Sequence, residues 1–116
     1  MNRDEILAAD DMQIQTVVIP EWGGPVYMRT LSGAAARHVQ KIASDSVEGT
    51  ADEIDVAVAL LVRCICAGPD DGTLVFTPED GPAVAEKSVA VINRLSKIAM
   101  RQNHMDADSQ EATAEN

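Results

Sequence analysis

The 116-residue sequence predicts a mainly α fold of the α+β class. About three main helices stand behind a short N-terminal helix and a small N-terminal β-hairpin. Three observations carry that expectation. Residues 14–18 alternate in a β-branched run, and a second run follows across "PEWGGP". Residues 33–46 and 51–67 then place apolar side chains at helical spacing, as do residues 83–102. The apolar content is mostly Ala, Val and Ile, with one Trp, one Tyr and one Phe in the whole chain. A core of such small side chains buries little area per residue.

The elements follow in order. "RDEILAA" makes one or two helical turns, with Asp4 and Glu5 at the end where the helix dipole favours acids. "MQIQTVVIP" sets Ile14, Thr16 and Val18 against Gln13, Gln15 and Val17, and Pro20 stops the strand. "VYMRTL" puts Val26, Met28 and Thr30 on one face and Tyr27, Arg29 and Leu31 on the other. The intervening glycines can take the positive φ that a hairpin loop demands. Ser32 is positioned as an N-cap for a helix with Ala35, Val39, Ile42 and Ala43 inward.

Thr50 and Glu53 have capping-box spacing. The helix behind them, from about Ala51 to Ala67, is apolar on nearly every side and so should be central. Gly68-Pro69 ends it, "DDG" turns and "TLVF" is extended. Thr77-Pro78 has the N-cap and N1 pattern of a last helix, with Gly81-Pro82 leaving open a later start near Ala83, and the stripe of Val84, Ser88, Val91, Leu95 and Ile98 is widened by Val89, Ile92 and Ala99. Residues 1–105 form one domain on this reading, and 106–116 an acidic disordered tail.

Charge and motifs narrow the function. The net charge is −10, and four of the nineteen acids lie within the last eleven residues. A protein that binds nucleic-acid backbones needs a basic face, which this composition denies. No run approaches a membrane span and no signal peptide opens the chain, so a soluble cytoplasmic protein is expected. Cys64 and Cys66 are two apart, unlike the C-x-x-C of redox and zinc sites. On a helix they would face apart, as buried thiols. Neither His38 nor His104 has a nucleophile or ligand at motif spacing. No catalytic residue, metal site or cofactor is expected, and the chain is not read as an enzyme.

The order of segments resembles one family. "DEILAADD", "IPEWGGPVYMRTLSG", two helices, "DDGTLVFTPED" and "AEKSVAVINRLSKIAMRQN" together resemble the tail assembly chaperones of long-tailed, siphovirus-type bacteriophages and prophages. The similarity runs from Asp4 to about Asn103. It is most specific at "PEWGG-VY-R-LSG", "FT-ED" and "EKS". "GAAARHV" and Gly81-Pro82 depart from the pattern, at helix boundaries.

The resemblance implies a non-enzymatic protein of the host bacterial cytoplasm, absent from the mature virion. Such a protein binds and solubilises the tape measure protein and helps recruit the major tail protein. It also implies a longer form made by translational frameshift, diverging after Met105, and a homo-oligomer. Trp22, Tyr27 and Arg29 at the hairpin, with Val91, Leu95 and Ile98 on the last helix, are the candidate partner contacts; the competing expectation is that Trp22 and Tyr27 fold back to pack on the hairpin and helices and that the last-helix stripe is core. Arg29 is alternatively expected to pair with a neighbouring acid. An acidic regulatory protein or nucleic-acid mimic is the competing class, although its acids fall at turns and helix starts rather than on one face.

Overall fold

The computed structural model describes residues 1–47 and 53–105. The Thr50–Glu53 capping box and the acidic tail from residue 106 fall outside the described residues. Among the described residues, five helices and a four-stranded antiparallel sheet of order β1-β2-β3-β4 make an α+β fold. The elements are α1 (Arg3–Ala8), β1 (Ile14–Ile19), β2 (Gly24–Arg29), α2 (Gly33–Val47), α3 (Glu53–Val62), β3 (Ile65–Gly68), β4 (Asp71–Leu74), α4 (Gly81–Ala85) and α5 (Val89–Gln102).

The N-terminal hairpin forms as the sequence implies. β1 and β2 pair in register from Ile14↔Arg29 to Ile19↔Gly24. A 3-10 turn at Pro20–Trp22 joins them and closes on Gly23 at φ 84°. Residues directly opposite share a face, so Val17, Ile19, Val26 and Met28 point to the helices, while Thr16, Val18 and Tyr27 point away. Ile19 and Met28 are fully buried, whereas Val18 is 66 % exposed. Ser32 caps α2 as expected, its Oγ accepting from the Ala35 amide at 3.1 Å. α1 is capped by Asn2, which accepts from the Glu5 amide at 2.8 Å. Every α1 residue is exposed.

α3 is the axis of the core. All six residues Ala57–Val62 are buried, against β2, α2, α4 and α5. It stops one turn earlier than the sequence pattern suggests. The Arg63 and Cys64 amides donate to the carbonyls of Leu60 and Leu61, a tight i to i−3 closure. The chain then enters the sheet: the Arg29 amide donates to Cys64 O at 2.8 Å, and Ile65 and Cys66 pair with Met28 and Tyr27. Residues 65–67 are therefore strand and not helix. A short run of apolar residues fits either period, and the free edge of β2 decides it. Cys64 and Cys66 are both buried free thiols, but at a turn and in a strand.

β4 pairs with β3 at Cys66↔Leu74 and Gly68↔Asp71, so Asp71 and Gly72 are strand and the turn is Pro69–Asp70. The last helix also divides in two. Pro78–Asp80 is a 3-10 turn with a Thr77–Asp80 capping box. α4 follows, and Ser88 at φ −53°, ψ 129° breaks the helical path before α5. Ser88 and Val89 are exposed rather than part of the inner stripe, because Ser88 is the N-cap position of a new helix.

Candidate functional site

The hairpin tip and the α4 segment enclose an open groove of ≈440 Å³ lined by Trp22, Phe76, Ala83 and Val84, with Glu21 and Lys87 at its rim. Two of the chain's three aromatic residues thus meet at one surface. Each is partly buried: Trp22 packs on the main core cluster, and Phe76 touches both core clusters. Trp22 arrives there because Pro20 fixes φ at the turn's first position and Gly23 closes it in a left-handed conformation. Phe76 is carried by the short link from β4 to the capped 3-10 turn. An apolar floor with a few charged groups at its rim suits an amphipathic helix or an apolar side-chain anchor.

The tip is held down by a charge pair. Arg94 of α5 donates to both Glu21 carboxylate oxygens, Nη1 to Oε1 at 3.2 Å and Nη2 to Oε2 at 2.6 Å. This two-point geometry fixes orientation as well as distance. The guanidinium hydrogen bond holds the Glu21 carboxyl below its ordinary pKa. Both side chains remain close to half exposed, which limits what the pair adds to stability.

The residues singled out in the sequence separate in space. Val91 and Leu95 are fully buried between α5 and the rest of the core, and Ile98 is half-buried beside them. Trp22 sits on the same cluster from the hairpin side. Tyr27 lies on the outer sheet face, opposite Thr16 and Cys66. Arg29 shares that face but pairs with no acid among the described residues. Its Nη1 donates to the carbonyl of Gly72 in β4 at 2.8 Å, and its Nε is buried without an acceptor. That bond ties the two hairpins across β3. Phe76, absent from the sequence-based set, completes the groove. Its only signal was being the one other aromatic residue.

His38 is exposed, and no group of three His, Cys, Asp or Glu side chains among the described residues is placed to hold a metal. No helix among them is long and apolar enough to cross a membrane.

The apolar groove at the hairpin tip is the kind of surface that takes a helical protein partner. Residues 3–115 match the family described as phage tail assembly chaperone, and the chain belongs to that family. Among solved structures it is similar to the bacteriophage HK97 tail assembly chaperone, at 26 % identity and a TM-score of 0.62. The match covers 84 % of this chain and 89 % of that one. No curated protein sequence matches it. Family and fold point to a non-enzymatic role.

Proposed function

We infer that this phage tail assembly chaperone binds and solubilises the tape measure protein in the host bacterial cytoplasm. It also helps recruit the major tail protein there, and it is absent from the mature virion. The observation that supports this most directly is the family match over residues 3–115. The groove of Trp22 and Phe76 supplies a physical means, since a long helical client exposes apolar stripes before its tube surrounds it. Several copies of a weak binder along one such client gain avidity without tight single contacts. Association with further copies of itself, and with a frameshifted longer form, belongs to the same reading.

On this reading Trp22 is the central contact, while Tyr27 and Arg29 on the outer sheet face and Ile98 on α5 meet partners outside its groove. Val91 and Leu95 act from inside, by seating α5 beneath the hairpin tip. The test is co-expression with the tape measure protein of the same genome, scoring its solubility and co-purification. Trp22→Ala and Phe76→Ala are compared by circular dichroism to separate lost binding from lost fold. A central aromatic anchor is worth about 2 kcal/mol or more, or about thirty-fold in affinity. A client that stays insoluble with the wild-type chain, also when the native downstream DNA is present, defeats the proposal.

A further inference from the structure

β1 is an edge strand: it pairs with β2 alone. Which of its backbone groups face outward follows from the bonds around it. Gln13 O accepts from the Thr30 amide, so Gln13 turns its backbone toward β2. The Arg29 amide, opposite Ile14, donates instead to Cys64 O on the β3 side. Direction alternates along an antiparallel ladder. Gln15, Val17 and Ile19 therefore bond β2, while Ile14, Thr16 and Val18 turn their N–H and C=O groups away from it. Those outward groups have no protein partner among the described residues. Native edges are ordinarily blunted by a charge, a Pro or a bulge. Ile14–Ile19 contains no charge and no Pro, and its register against β2 runs unbroken. Thr16 is exposed and Val18 is 66 % exposed.

An open edge of this kind takes another strand, and β1 is complementary to itself. A two-fold axis at Thr16 sets Thr16 against its equivalent and Ile14 against Val18 of the second copy. In that register every outward N–H and C=O of the strand meets an outward group of the other copy. A slip of one residue would oppose them to groups already bonded to β2. The opposed side chains are β-branched throughout, a favourable cross-strand combination, and the second copy's Ile14 covers Val18. Charge permits the approach, because none lies between Asp11 and Glu21. Asp11 falls opposite Glu21 of the second copy, whose carboxylate Arg94 already holds.

We propose that this chain self-associates through β1, as an antiparallel two-fold pair whose two sheets become continuous. The proposal rests on the self-association included in the function above and gives it a surface, a register and a symmetry. The bonds that hold it are backbone bonds, so side-chain charge plays no attractive part. Each copy carries a net charge of −10, and the two repel. Added salt screens that repulsion and should tighten the pair, the reverse of an interface built on exposed ion pairs.

The test is sedimentation equilibrium of the full chain, whose mass should rise from 12.4 kDa toward twice that value with concentration, and more readily in high salt. Thr16→Pro removes an outward N–H while leaving the bonds to β2, so circular dichroism should show an unchanged fold and association should weaken at least tenfold. Oxidised Thr16→Cys should cross-link to its twin, since opposed Cα atoms about 5.5 Å apart lie within disulfide reach. Val18→Cys should not, because its twin lies about 14 Å along the strand. The native thiols are buried and do not compete. A mass that stays at 12.4 kDa overturns both the proposal and the self-association it rests on. Association that survives Thr16→Pro, weakens in salt, or cross-links at Val18→Cys and not at Thr16→Cys overturns the β1 surface alone.

Discussion

Leu95→Ala separates a buried support from a contact surface. Leu95 is fully buried in the main cluster, on the face of α5 that packs against α3. The substitution removes three carbons, worth about 0.8 kcal/mol each on burial. The space left behind adds about 1 kcal/mol, so the loss is about 3 kcal/mol. For a domain near 100 residues each kcal/mol moves the melting temperature by about 4 °C or more, so the midpoint should fall by at least about 12 °C. Thermal unfolding followed by circular dichroism measures this. Domains of this size start from about 5 kcal/mol or more, so the variant still keeps most molecules folded at 25 °C. Tape measure capture at 25 °C should therefore stay near wild type. A variant that melts within a degree or two of wild type yet loses the client would refute the reasoning. Leu95 would then be a contact, and α5 would have to leave the core to use it.

Two further outcomes follow from the chemistry of named groups. Glu21 has a lowered pKa because Arg94 hydrogen-bonds its charged form, so its contribution is present above the ordinary value of 4.5 and lost as the pH falls through the lowered one. The difference in melting temperature between wild type and Glu21→Gln should shrink to nothing across that acid range, and a difference that persists below it would contradict the pair's role. Burial pushes the Cys64 thiol up to about 12 and raises Cys66 as well. A thiol reagent at pH 8 should label neither residue promptly in the native chain and both in denaturant, and fast stoichiometric reaction of one native thiol would show the β3 strand to be open.

Where sequence reasoning and structure part, the reason is the same in each place: a short segment whose local pattern permits two states, with a distant partner choosing between them. The two strands either side of "PEWGGP" were readable as a hairpin because alternation and a Gly-Gly loop agree locally, although the face that turns inward carries Val17 and Ile19 rather than Ile14 and Val18. Ser32 was readable as a cap because its bond is to Ala35, three residues on. Ile65 and Cys66 were not, since their helical spacing continues that of α3 and only β2, some forty residues earlier, makes them strand. The split between α4 and α5 was masked by Val84, Ser88 and Val91 falling at i, i+4 and i+7. The long-range bonds of Arg29 to Gly72 and Arg94 to Glu21 likewise have no local signature.

The same distinction explains the site. Trp22 drew attention in the sequence through its rarity and its place at a turn, both local facts. Its partner Phe76 lies 54 positions away and reaches the groove only because α3 gives way to the β3–β4 hairpin. Had residues 65–67 remained helical, β4 would lack the strand it pairs with, and Phe76 would lose the support that aims it at the hairpin tip. The early end of α3 is thus what brings the two aromatics together. The two hairpins have to form as one sheet before the groove exists, with Arg29 bonded to Gly72 across them. Binding at Trp22 therefore depends on the integrity of β3 and β4, although neither strand contributes a side chain to the groove.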